Sequence, residues 1–116
     1  MQQVTRADLQ KLTERELHDC IIDASKKLGW DARFTWKSLH SPKGTLDLML
    51  LPLRAGGRTL FRELKGYQKK GKRLVLGGLT PDQERTILLH RQAGDDAGLW
   101  TPEMWFDGTI HREMTY

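Results

Sequence analysis

The stretch TLDLMLLPLRAGGRTLFRELK, Thr45 to Lys65, decides how the chain folds. Two apolar runs, TLDLMLL (Thr45 to Leu51) and RTLFRELK (Arg58 to Lys65), flank PLRAGG, whose Gly56 and Gly57 supply a turn. Short apolar runs on either side of a glycine turn predict an antiparallel β-hairpin. The second run is unusual for a strand with a core side, because Arg62, Glu63 and Lys65 crowd around the single Leu64. Side chains alternate along a strand, so Glu63 and Lys65 share a face, roughly 6.5–7 Å apart along the chain. If Met49 sits opposite Phe61, Asp47 falls opposite Glu63 on that face, with Cβ atoms about 4.5–5.5 Å apart. A slip of one residue would send the two carboxylates to opposite faces.

Carboxylates that close repel one another, and burying them uncompensated is costly. A hard divalent cation such as Mg²⁺, which takes a few carboxylates and keeps several waters, removes the conflict. An ion so held can orient and acidify a water and neutralise charge building on a phosphate. Lys65, alongside, is placed to stabilise that charge. The competing reading is a plain ion pair between Glu63 and Lys65 on an open sheet face, worth about 0–1 kcal/mol and without function. Arg62 points to the other face and has no role in either reading.

Outward from the hairpin, Leu17, Ile21, Ala24 and Leu28 recur at helical spacing, predicting a helix from about Thr13 to Leu28 that Gly29 stops. Thr13 with Glu16 fits a capping box. Ala32, Phe34 and Trp36 alternate with polar neighbours and predict a strand. SLHSPKG, with Pro42 and Gly44 as breakers, reads as a loop. After the hairpin, GYQKKGKRLVLGG reads as a mobile glycine- and lysine-rich connector. LTPDQERTILLHRQAG then opens a second helix, with Thr80 as N-cap, Pro81 at N1, Gln83 at N3 and Gly94 as the stop. AGLWTP reads as a short final strand, and EMWFDGTIHREMTY gives no clear period. The order helix, three strands, helix, strand predicts a mixed α/β fold, about four strands covered by helices.

At 116 residues the chain is expected to be one domain with one core, residues 1–116. Its longest apolar run, Leu48 to Leu51, is far too short for a membrane span, and MQQVTRADLQKL has no apolar signal region. Cys20 is the only cysteine, which excludes an intramolecular disulfide and a cysteine-rich zinc site and suits a reducing cytoplasm. The formal net charge of +4 permits a nucleic-acid partner without requiring one.

KGTLDLMLLP, LFRELKG and LTPDQ, in that order, resemble the PD-(D/E)xK nuclease superfamily, and within it the virus-type replication-repair nuclease (VRR-NUC) domain. The likeness covers roughly residues 13–102. Glu16, Gly44, Asp47, Glu63, Lys65 and Gln83 occupy the positions of the family's motifs. The proline that usually precedes the catalytic aspartate is Leu46 here. The resemblance implies a restriction-endonuclease-like fold and a DNA endonuclease, structure-specific for branched or junction DNA in some members. It implies Mg²⁺ or Mn²⁺ held by Asp47, Glu63, the backbone carbonyl of Leu64 and Glu16. Lys65 would be the catalytic lysine, with Gln83 and Glu16 completing the site. Short standalone members are similar to phage proteins related to Holliday-junction resolvases, often dimeric, which implies a homodimer in the cytoplasm of a bacterial host. A non-catalytic nucleic-acid-binding module that keeps the fold is the alternative.

Glu16 and Gln83 each sit at N3 of a capping box, which is reason enough for both without catalysis. For Gln83 the roles can coexist, since a helix N-terminus also favours bound phosphate. Ser41, Lys43 and Gly44, with His40, lie in the loop leading to Asp47 and are candidates for touching the scissile phosphate. Lys69, Lys70, Lys72 and Arg73 follow the site directly and could track a phosphate backbone. His18, His90 and His111 read as surface residues. Trp30 and Trp105 are candidates for stacking on bases, while Trp36 and Trp100 are expected in the core.

Overall fold

The computed structural model describes residues 9–35 and 42–115. Trp36, His40 and Ser41 lie outside the described residues. Helix α1 spans Glu14–Leu28, and both halves of its capping box form. Thr13 Oγ1 accepts from the Glu16 N–H at 3.1 Å, and Glu16 Oε1 accepts from the Thr13 N–H at 2.9 Å. Gly29, at φ 83°, ends the helix in the left-handed conformation that glycine adopts freely. Leu17, Ile21, Ala24 and Ser25 form its buried stripe, whereas Leu28 in the last turn is exposed.

Four strands make one sheet: β1 (Trp30–Phe34), β2 (Leu48–Pro52), β3 (Leu60–Leu64) and β6 (Asp96–Trp100), in the order β1-β2-β3-β6. The first two pairings are antiparallel and the third is parallel. A parallel neighbour requires a crossover, and helix α2 (Pro81–Gln92) lies in the connection from β3 to β6. Met49 lies opposite Phe61, the register that aligns Asp47 with Glu63. The mixed α/β sheet flanked by helices is the fold class expected from the sequence. No helix among the described residues is long and apolar enough to cross a membrane.

The sheet separates two cores. On one side Leu48, Leu50, Leu60, Leu64 and Trp100 pack against Leu17 and Ile21 of α1. On the other, Phe61 and Ala97 meet Leu46, Leu79 and Ile87 of α2. The tail whose period was not legible folds as two short helices, α3 (Pro102–Phe106) and α4 (Thr109–Glu113). Ile110 and the following Met114 are fully buried in the α1-side core. Trp30 is also core: it is buried and its indole N–H donates to the Met114 carbonyl at 2.8 Å, so it is no stacking platform.

The segment expected as a mobile connector is instead a two-stranded ribbon, β4 (Tyr67–Lys70) paired antiparallel with β5 (Arg73–Leu76). Lys70 pairs with Arg73 across the two-residue loop Gly71-Lys72, with Gly71 at φ 66°. A positive φ at the first loop position is what a tight hairpin needs, and glycine supplies it. The same glycines that look like a flexible tract are therefore turn and root residues.

Arg62, unexplained by the sequence, faces the α1-side core at 2% exposure. Its Nη2 donates to Asp96 Oδ1 at 2.8 Å and to Glu113 Oε1 at 2.9 Å, and its Nη1 to the carbonyls of Phe61 and Asp96. Trp100 Nε1 donates to the same Glu113 oxygen at 3.1 Å. The guanidinium thus ties β3 to β6 and to α4. Burial pushes the Asp96 carboxyl up, but the hydrogen bonds from Arg58 and Arg62 outweigh this and hold it below its ordinary range. A depressed folded pKa contributes stability above the unfolded value, near pH 4, that is lost as pH falls through the folded one. Wild type should therefore lose stability in acid below about pH 4, and Asp96→Asn should flatten that limb. Arg62→Met should cost about 2–3 kcal/mol in urea unfolding at pH 7, because Glu113 loses its guanidinium partner and Asp96 keeps only Arg58. A cost under about 1 kcal/mol would show that the network is idle.

Candidate active site

Asp47 and Lys65 stand just outside their strands, at the end of the sheet where β2 begins and β3 finishes. Both stay tied to it by the backbone. The Asp47 carbonyl accepts from the Thr35 N–H at 2.8 Å, and the Lys65 N–H donates to the Trp100 carbonyl at 3.1 Å. Asp47 Oδ2 also accepts from the Leu64 N–H at 3.0 Å, which fixes the carboxylate against the end of β3.

Glu63 has no exposed surface at all. Its Oε2 accepts from Gln83 Nε2 at 3.0 Å and lies 3.5 Å from Lys65 Nζ. The other end of the Gln83 amide, Oε1, accepts from the Thr80 N–H at 2.9 Å. One side chain therefore caps α2 and donates to the buried carboxylate. Gly44 is placed by contact: at φ 83° it abuts the start of α2, and a Cβ there would lie 2.4 Å from the Asp82 carbonyl oxygen.

Glu16 is not the third carboxylate. Its side chain is turned back onto the Thr13 N–H and serves the cap. Glu14, two residues earlier in the first turn of α1, is the α1 carboxylate that comes beside Asp47 and Glu63. Glu14, Asp47 and Glu63 each offer an oxygen, and the three oxygens lie within 4.8 Å of one another. Residues two apart on a helix face different directions, so a choice between them needs the helix's rotation about its axis, which the capping box alone did not give.

Gly66 lets Glu14 come this close. A Cβ on Gly66 would fall 2.0 Å from the Glu14 backbone nitrogen and 2.4 Å from the Thr13 carbonyl carbon. The start of α1 thus lies directly on the chain leaving β3, and the Tyr67 N–H donates to the Leu12 carbonyl at 2.8 Å. An open cleft of about 270 Å³ adjoins the carboxylates, lined by Glu14, Asp47 and Leu64 with Arg15, His18 and Phe34. His18, read from sequence as a surface residue, leans on Phe34 with ring centroids 3.7 Å apart and faces this cleft. The signal that would have found it is the spacing Glu14 to His18, one helical turn.

Three hard oxygen donors with one fully buried suit a hard divalent ion, and no thiolate is among them. Lys69, Lys70, Lys72 and Arg73 are exposed on the ribbon and Lys43 is exposed beside Gly44, and none of them lines the cleft. No protein-family model, curated protein or solved structure matches the chain. Gly66→Ala should push α1 off β3 and cost about 2 kcal/mol or more, with faster amide exchange at Tyr67. Glu16→Ala should cost about 1 kcal/mol, as loss of a cap does. Unchanged Tyr67 exchange in Gly66→Ala would refute this placement of Glu14.

Proposed function

We propose that the protein is a metal-dependent DNA endonuclease that hydrolyses phosphodiester bonds, the activity its resemblance to VRR-NUC nucleases implies. The convergence of Glu14, Asp47 and Glu63 oxygens within 4.8 Å, beside a lysine, carries this reading. These three carboxylates would hold Mg²⁺ or Mn²⁺. When bound, such an ion supplies an oriented, acidified water and neutralises charge on the phosphate.

The chain's own residues prepare that chemistry. Gln83 and Lys65 both approach Oε2 of the Glu63 carboxylate, and the Leu64 N–H holds Asp47, so the donors that orient these oxygens belong to the folded chain itself. Lys65, with 17% of its side chain exposed, reaches solvent beside the carboxylates and can stabilise charge on a phosphate oxygen. Arg15 and His18 on the cleft wall are placed to contact the phosphate backbone. DNA is the partner in this reading, and a homodimer in a bacterial cytoplasm is the form the resemblance implies.

The test is incubation with supercoiled, linear and four-way-junction DNA, with and without Mn²⁺. Wild type should cleave at least one of them only with the metal. Glu14→Gln, Asp47→Asn and Lys65→Ala should each lower the rate by about 10²–10³-fold, while Glu16→Gln should leave it within a few-fold. No cleavage by wild type, or equal cleavage by the Asp47 and Lys65 variants, would defeat the proposal.

A further inference from the structure

The ribbon β4–β5 carries the whole of the chain's excess positive charge. Residues 67–76 hold Lys69, Lys70, Lys72 and Arg73 and no carboxylate. Setting these four aside leaves fifteen basic against fifteen acidic side chains in the rest of the chain. Residues 68–74 are all exposed, so both faces of the ribbon stand in solvent there. Paired residues of an antiparallel ladder share a face. The pairs Gln68 with Val75 and Lys70 with Arg73 therefore give one face three long hydrogen-bond donors around a valine.

The root of the ribbon is fixed to the site. The Gly77 N–H donates to the Gly66 carbonyl at 3.0 Å, and Tyr67 Oη donates to Glu103 Oε1. A Cβ on Gly77 would lie 3.6 Å from Lys65 Cδ, so the root touches the stem of the lysine in the candidate site.

We infer that this ribbon docks in the major groove of B-form DNA, presenting Gln68, Lys70 and Arg73 to it, and so makes duplex DNA the substrate class. This rests on the nuclease reading for the identity of the ligand. The major groove of B-DNA is about 12 Å wide and admits a two-stranded β-ribbon. The major groove of an RNA duplex is deep and too narrow for side chains to read. Single strands are gripped by aromatic platforms, and the ribbon's one aromatic side chain, Tyr67, is tied at its root to Glu103. Arg, Lys and Gln are the side-chain types that bond phosphates and purine edges, and Val75 offers an apolar surface to a thymine methyl. At about 3.3 Å per residue a four-residue strand reaches about 13 Å past Lys65, or about four base pairs from a phosphate bound there.

The test is binding by fluorescence anisotropy, in EDTA, to a 20-base-pair DNA duplex, its single strand and the matching RNA duplex. Wild type should bind the DNA duplex at least tenfold more tightly than either alternative. A Lys70→Ala/Arg73→Ala double variant should lose about tenfold in duplex affinity and should flatten the slope of log K against log salt by about 2. Lys26→Ala, a cation lost from α1, should change neither. Preference for the single strand or the RNA duplex, or an unchanged salt slope in the double variant, would overturn the inference. Ribbon-dependent binding by a protein that never cleaves would uphold the docking and defeat only the nuclease reading. Cleavage by wild type with ribbon-independent binding would do the reverse.

Discussion

The constraint on which the site depends is electrostatic. Glu63 is wholly buried, yet oxygens of Glu14 and Asp47 lie within 4.8 Å of its own. A folded chain meets that repulsion by protonating a group or by supplying positive charge and donors. Lys65, the Gln83 amide and the Leu64 N–H supply part of it from within. A divalent cation would supply the rest. Each element that reaches the site serves this cluster: β3 brings Glu63, the approach to β2 brings Asp47, α1 brings Glu14 and α2 brings Gln83.

Arg62 and Glu63 are adjacent in one strand and buried on opposite faces, which is how two charged groups occupy the centre of so small a protein. The Arg62 side is closed, with Asp96, Glu113 and Trp100 completing a network that joins sheet to C-terminal helix. On the Glu63 side, the neighbouring Lys65 is part-exposed. Gly66 permits the close approach that sets the start of α1, and Glu14 with it, against the end of β3.

Much of this was legible in the residues. The alternation of Leu60 to Lys65 and the glycine turn fixed the hairpin, and the Met49–Phe61 register put Asp47 beside Glu63. Thr13 and Thr80 located both helix starts. What was not legible depended on three-dimensional placement rather than on local pattern. Glu14 and Glu16 are equivalent acidic residues in one turn until the rotation of α1 is known. The ribbon's strands are four residues each, and its glycines imitate a flexible linker. The helices after Pro102 have five residues each, too few to display a period. Arg62 had no explanation until Asp96 and Glu113, distant in sequence, came to meet it.

The central claim is that the three carboxylates form a divalent-cation site. The most direct measurement is thermal unfolding of wild type and Glu14→Gln over a titration of Mn²⁺, without nucleic acid. Binding to the folded state alone raises stability by RT ln(1 + [L]/Kd). The wild-type midpoint should climb with metal and keep climbing logarithmically past saturation, while that of Glu14→Gln should respond only at concentrations about tenfold or more higher. A wild-type midpoint indifferent to Mn²⁺, or an identical response from the two proteins, would contradict it.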